Sequence, residues 1–142
     1  SWKKIHEKIR ISADGKPCPI CKRILDLKAK GTNWPTIEHI FNREYFQRNE
    51  YGIKEKKQNL RRSKFCFQSL QNITVTCTAC NDARNHAKQK TSLSDSIRYN
   101  SWSLLQLTDV NPKLRAAIKR YTKDIDSVFW NYLKKKHGVH KP

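Results

Sequence analysis

The sequence lacks methionine, and it also lacks any apolar run long enough to cross a membrane. A spanning helix needs roughly 18 or more consecutive apolar residues, so their absence predicts a soluble chain with no membrane partner. The opening segment, SWKKIHEKIR, alternates charged residues with isoleucine where a secretion signal would be apolar. We therefore expect a protein that is not secreted. A start at Ser1 without methionine further suggests a processed or excised piece of a longer protein.

Apolar residues are scarce as well, at 37% of the 142 residues, while charged residues reach 30% against a usual figure of about 25%. A chain of this length forms one domain with a modest core. Its five cysteines suggest that a disulfide set or a bound metal adds stability that burial does not supply.

Acidic residues are few: the sequence has 12 Asp and Glu but 30 Lys and Arg, which gives a formal charge of +18. A positive field of this size favours a polyanionic partner, and nucleic acid is the leading interpretation. An anionic membrane surface, a ribosome-like assembly or a merely solvated surface are the alternatives. The expected location is the cytoplasm or the nucleoid.

The pattern of apolar residues predicts an α+β chain in one domain, 1–142, with three parts. Residues 1–17 form an N-terminal helix capped by Ser1, residues 18–91 form the core, and residues 92–142 form a helical extension. Within the core we expect a short helix over 22–30 and strands near 36–41 and 72–80. In the extension, a helix near 92–107 precedes one long helix that begins after Asn111 and ends at Gly138. An apolar stripe of helical period marks the long helix, at Leu114, Ile118, Tyr121, Ile125, Val128, Phe129 and Tyr132.

Four of the cysteines form two C-x-x-C pairs, Cys18 with Cys21 and Cys77 with Cys80. Two such pairs supply the four thiolates of one tetrahedral zinc, and a site with four protein ligands is structural. Buried thiols or disulfides are the alternative, although the odd Cys66 argues against complete pairing. The two pairs enclose the segment TIEHIF, in which Glu38 and His39 are adjacent. Adjacent side chains of a strand point to opposite faces.

The order of these motifs resembles the HNH endonucleases, the ββα-metal or His-Me finger nucleases. The resemblance covers about residues 18–88. It rests on the first C-x-x-C, the Glu38–His39 pair, Asn72 before the second strand, the second C-x-x-C, Asn81 directly after the last cysteine, and Arg84 three residues further on. It implies a ββα core whose two ends are held by the zinc.

The resemblance also implies roles for individual residues. His39 would be the general base, which suits an imidazole whose ordinary pKa is near 6.5. Asn72 would brace the turn behind it, and Arg84 would hold the scissile phosphate with its planar guanidinium. A structural histidine in a strand is the alternative for His39. The remaining histidines are expected at the surface: His6, His86, His137 and His140.

A catalytic divalent ion, most simply Mg²⁺, would be held by Glu38 and Asn81 with water and phosphate oxygens. Asn85, one helical turn beyond Asn81, would be a further ligand or else a surface amide. Asp or His is more usual than Glu in the family at position 38. The longer side chain of Glu38 leaves open a contact through water, or a degenerate site.

Basic residues are concentrated in the loop KEKKQNLRRSK, which has six cations and one acid. This loop is either a solvated surface or a track for the phosphate backbone. The residues expected to bind nucleic acid are Arg43, Lys54, Lys56, Lys57, Arg61, Arg62 and Lys64. The expected activity is metal-dependent hydrolysis of phosphodiesters, with DNA as the favoured substrate. The alternatives are a zinc-containing binding module without activity, and a protein that cleaves or binds RNA.

Overall fold

The computed structural model describes residues 1–40, 70–91 and 96–142. Within these residues the chain is α+β, as predicted, with one two-stranded sheet and five helices. The elements are α1 (Trp2–Ser12), β1 (Pro35–His39), β2 (Ile73–Cys77), α2 (Thr78–Lys90), α3 (Ser96–Leu107), α4 (Pro112–Tyr121) and α5 (Lys123–His137). Arg43, Cys66 and the basic loop that was expected to bind nucleic acid lie outside the described residues.

The two strands pair antiparallel in a register that runs from Pro35 opposite Cys77 to His39 opposite Ile73. Strand geometry sends successive side chains to opposite faces, so Glu38 and His39 point to opposite sides of the sheet. Just beyond the register, the Ile40 amide donates to the Asn72 carbonyl at 2.9 Å. Asn72 therefore lies beside the end of β1 that carries His39.

The helix expected over 22–30 is wrong, because the chain there folds into a tight hairpin around the first cysteine pair. Pro17 and Ile24 form an antiparallel bridge, and the Cys18 amide donates to the Arg23 carbonyl at 2.8 Å. Lys22 has φ of 66° and is the described chain's one non-glycine residue with positive φ. This left-handed turn brings residues 18 and 21 together, at a cost that a continuous helix would avoid.

The second strand leads directly into α2, which begins at Thr78, within the range 72–80 expected for the strand. Cys77 is the N-cap, and its Sγ accepts a hydrogen bond from the Cys80 amide at 3.4 Å. Ala79, Ala83 and Ala87 are buried on one face of α2. These small side chains allow α2 to pack closely against the sheet and α5, both of which it contacts.

The long C-terminal helix is interrupted at Thr122, so its single predicted stripe is wrong in part. Its ends are confirmed, since Asn111 caps the Leu114 amide at 2.9 Å and Gly138 adopts φ of 66°. Thr122 leaves helical geometry at φ −118° and ψ 19°. Its hydroxyl donates to the Ile118 carbonyl at 2.7 Å, a bond that competes with the helix ladder. Leu114 and Tyr121 of the predicted stripe are exposed.

One cluster of buried apolar residues runs from Ala13 to Val139 and includes three of the largest buried side chains, Trp102, Phe129 and Leu133. The cysteine hairpin, the sheet, α2 and the C-terminal helices all contribute to it. In the described part of the chain, no helix combines the length and apolar character that crossing a membrane requires.

Candidate functional site

The four cysteines of the two C-x-x-C pairs meet in one place, with all their sulfur atoms within 4.8 Å of one another. All four are buried and none is in a disulfide. The Sγ atoms of Cys21 and Cys77 are 3.7 Å apart, whereas a disulfide would bring them to about 2 Å. A tetrahedral zinc with bonds of about 2.3 Å separates its sulfur ligands by about 3.8 Å. The cluster therefore fits a structural metal such as zinc.

Hydrogen-bond donors surround the sulfur atoms. Arg23 donates from Nε to Cys21 Sγ at 3.5 Å and from a terminal nitrogen to Cys77 Sγ at 3.4 Å. The Cys77 amide donates to Cys18 Sγ at 3.4 Å. These contacts favour thiolate over thiol, because each donor stabilises negative charge on sulfur.

The thiols also perturb one another. Hydrogen bonds from Cys18 and Cys77 lower the pKa of Cys21, while contacts with Cys18 and Cys21 raise the pKa of Cys77 and Cys80. A divalent cation at their centre would favour all four thiolates, and metal affinity at such a site depends on pH for this reason.

Glu38 forms a buried ion pair with Arg84, and this pair is the second feature of the site. The side chains are 8% and 3% exposed. The Arg84 guanidinium also donates to the His39 carbonyl at 3.1 Å and to Ser103 Oγ at 3.0 Å. Burial raises the pKa of Glu38, and the positive charge of Arg84 opposes that rise.

This pairing differs from the roles expected for the two residues. Arg84 has almost no exposed surface to offer a phosphate, and one carboxylate oxygen of Glu38 is occupied by Arg84. Metal binding by Glu38 and phosphate binding by Arg84 remain predictions, and either role requires the pair to open. In the closed arrangement Arg84 connects β1 to α2 and α3.

Removing one member of this pair should destabilise the fold strongly. We expect Arg84→Ala to lower the free energy of unfolding by about 3–5 kcal/mol, because Glu38 would keep a buried charge without a partner. Denaturant unfolding of the zinc-loaded protein measures this. Arg98→Ala is the matched control, since the partner of Arg98, Asp124, is 64% exposed. Such a pair contributes about 1 kcal/mol or less, and equal losses in the two variants would contradict the prediction.

His39 lies at the end of β1, on the face opposite Glu38, and its neighbours include His6 of α1. Burial lowers the pKa of His39 below its ordinary value, and electrostatic interactions with His6 and Arg84 lower it further. The imidazole is therefore neutral near pH 7, as a general base must be. His6 is half-buried rather than on the surface. Trp2, His6 and Ile9 recur at helical spacing. That spacing is the sequence signal for the partial burial of His6.

The three asparagines of the predicted site occupy two places. Asn72 is 1% exposed and lies next to the end of β1. On α2, Asn81 is half-buried and its Oδ1 accepts a hydrogen bond from exposed Asn85 at 3.4 Å. Carboxamide oxygens have two lone pairs. The Asn81 oxygen can therefore still accept a hard cation, and metal binding by Asn81 stays a prediction.

A polar cluster between α2 and α5 was not predicted. Asp82 Oδ2 accepts from Tyr132 at 2.9 Å, lies 2.7 Å from His137 Nε2, and pairs with Lys136 at 3.0 Å. Burial acts to raise the pKa of Asp82, but these hydrogen bonds outweigh it and lower the pKa to about 2. His86 stacks on Tyr132 with ring centroids 4.0 Å apart. The cluster holds α5 against α2. No motif in the sequence predicted the contact between Asp82 and Tyr132, which are 50 residues apart.

Comparison with models of known protein families, with curated proteins and with solved structures gives no match. What this chain does is therefore inferred from its own residues and their arrangement.

Proposed function

We propose that this protein is a metal-dependent endonuclease of the HNH type, built on a structural zinc held by Cys18, Cys21, Cys77 and Cys80. DNA is the proposed substrate, and a phosphodiester bond is hydrolysed to leave a 5′ phosphate and a 3′ hydroxyl. His39 takes the proton of the attacking water. The high positive charge of the chain, +18, supplies attraction to the phosphate backbone.

The observation that carries this proposal is the order of strand, strand and helix around the sulfur cluster. β1 ends with the histidine, buried Asn72 lies beside that end, and β2 passes through Cys77 directly into the helix that carries Asn81. This order supports the resemblance seen in the motifs. The lowered pKa of His39 adds chemical support, because it keeps the imidazole able to accept a proton.

Asn81 and Asn85 are the residues we propose for a catalytic divalent ion such as Mg²⁺, with Glu38 joining them once its pair with Arg84 opens. When bound, the ion would supply positive charge that stabilises the leaving oxygen. Asn72 holds the end of β1 through its carbonyl bond to the Ile40 amide. Arg84 holds the same strand through the His39 carbonyl. These two residues fix the backbone at the general base.

A second candidate function is a zinc-containing nucleic-acid-binding module without nuclease activity. The closed pair of Glu38 and Arg84 favours it, because an acid neutralised by a buried arginine is a poor ligand for a hard cation. Both candidates predict binding to nucleic acid that weakens steeply with salt. Only the nuclease candidate predicts that nucleic-acid strands are cut.

Supercoiled plasmid incubated with the zinc-loaded protein separates the two candidates. We expect Mg²⁺-dependent conversion to nicked or linear DNA, and no conversion when Mg²⁺ is omitted. DNA ligase should reseal the nicks, since it requires a 5′ phosphate beside a 3′ hydroxyl. Labelled structured RNA is incubated in parallel. Binding without cleavage of either substrate would favour the inactive module, and cleavage confined to RNA would reassign the substrate.

A further inference from the structure

A groove of about 670 Å³ lies on the side of the molecule formed by the cysteine hairpin, the three C-terminal helices and the chain end. Its lining contains six cations and a single acid. The cations are Lys22, Arg115, Lys119, Arg120, Lys123 and Lys141. None of the residues proposed for the nuclease site lines it.

The single acid does not neutralise the row of cations. Asp126 accepts a hydrogen bond from Trp102 Nε1 at 3.0 Å and pairs with Lys141 Nζ at 3.3 Å. Within residues 1–40, 70–91 and 96–142, no acid pairs with Arg115, Lys119, Arg120 or Lys123. The groove thus presents positive charge that the described residues leave unbalanced.

Three of the cations form a row in sequence, Arg115, Lys119 and Lys123, each four residues after the one before. Arg115 and Lys119 are four residues apart on α4, so their backbones are about 6 Å apart along the helix axis. Lys123 continues the row into α5 after the break at Thr122. A row of separated charges suits a polymer that carries a charge at each repeat better than one small anion.

An aromatic ring lines the same groove. Trp130 is half-buried, packs edge-on against Phe129 with centroids 5.0 Å apart, and has Lys141 Nζ 5.9 Å from its own centroid. Aromatic rings between cations bind single-stranded nucleic acid, because unpaired bases can stack on them. The bases of a duplex are already paired and stacked and cannot do so.

We propose that this groove binds a single strand of nucleic acid, with phosphates along Arg115, Lys119 and Arg120 and a base against Trp130. The inference rests on the proposed function only in taking nucleic acid as the partner, and it does not require cleavage. It places a second contact surface on the C-terminal helices. A strand released from a nicked or unpaired substrate would be held there.

Fluorescence anisotropy with labelled oligothymidylate of twenty nucleotides tests this on the full, zinc-loaded chain. The variant Arg115→Gln/Lys119→Gln/Arg120→Gln should reduce the slope of log affinity against log salt by about 2, because each phosphate contact to a single strand contributes about 0.7. At ~0.1 M salt this corresponds to roughly 100-fold weaker binding. Trp130→Leu should weaken binding roughly tenfold.

A matched control removes the same charge elsewhere. Lys3→Gln/Lys4→Gln/Lys8→Gln on exposed α1 should change affinity by no more than about threefold. Circular dichroism and zinc content verify that each variant is folded. Wild-type affinity of the groove variant for oligothymidylate would overturn the proposal, as would an equal loss in the control.

Further probes decide the class of partner. Tighter, groove-dependent binding of a duplex of twenty base pairs would overturn the single-strand assignment, and so would preference for polyglutamate or for phosphatidylserine vesicles. If the wild-type protein cleaves plasmid but the groove substitutions do not change its affinity for oligothymidylate, this inference is overturned and the nuclease proposal stands. Groove-dependent binding without any cleavage would instead count against the nuclease.

Discussion

Loss of metal from the sulfur cluster is expected to unfold the protein. Structural zinc sites contribute about 10–16 kcal/mol of apparent binding free energy, which matches or exceeds the usual net stability of about 5–15 kcal/mol. Four buried sulfurs join the hairpin at 18–21 to the start of α2. Cys80→Ser, or a strong chelator, should therefore abolish cooperative thermal unfolding and reduce helical circular dichroism.

Native mass spectrometry provides the direct measurement, with one zinc per wild-type chain and none in Cys80→Ser. The fifth cysteine offers a matched control, because Cys66 belongs to neither C-x-x-C pair in the sequence. Cys66→Ser should retain its zinc and its cooperative transition. A wild-type chain that carries no metal yet melts cooperatively would refute a structural zinc.

Replacement of the predicted general base should remove cleavage while leaving binding intact. General acid–base catalysis contributes about 10²–10⁴-fold to rate, so His39→Ala should slow plasmid cleavage by that factor. Affinity for DNA should stay within about twofold, because the charge of the chain is unchanged at pH 7.5 when His39 is neutral. Single-turnover cleavage and anisotropy, run on the same preparation, measure the two quantities.

His140→Ala is the control for this substitution, since His140 is exposed near the end of the chain. It should cleave at the wild-type rate. Undiminished cleavage by His39→Ala would remove His39 from the mechanism. If neither wild type nor variant cleaves and both bind DNA, the inactive binding module becomes the better description.

Local signals in the sequence were sufficient for several elements. The Ser1 and Asn111 caps and Gly138 as a helix end follow from rules that act over a few residues. The meeting of Cys18, Cys21, Cys77 and Cys80 was also predictable, because metal-ligand spacing encodes a contact across the chain.

Other features depended on tertiary contacts that a sequence pattern does not reveal. A hairpin with a left-handed turn at Lys22 lies where the local pattern predicted a helix. The break at Thr122, where the hydroxyl donates to the Ile118 carbonyl, is not visible in the apolar stripe. The partner of Arg84 was unpredictable for the same reason, since a guanidinium can bind a phosphate or a carboxylate equally well.

The contacts of Arg84 limit how this chain can be dissected. Ser103 of α3 accepts from its guanidinium, and the Tyr99 hydroxyl donates to its backbone carbonyl at 3.2 Å. A shortened chain that ends at residue 91 would keep every motif residue yet lose both contacts, along with Trp102 and Phe129. We therefore expect the smallest stable unit to extend well past the last motif, through the helices that carry these residues.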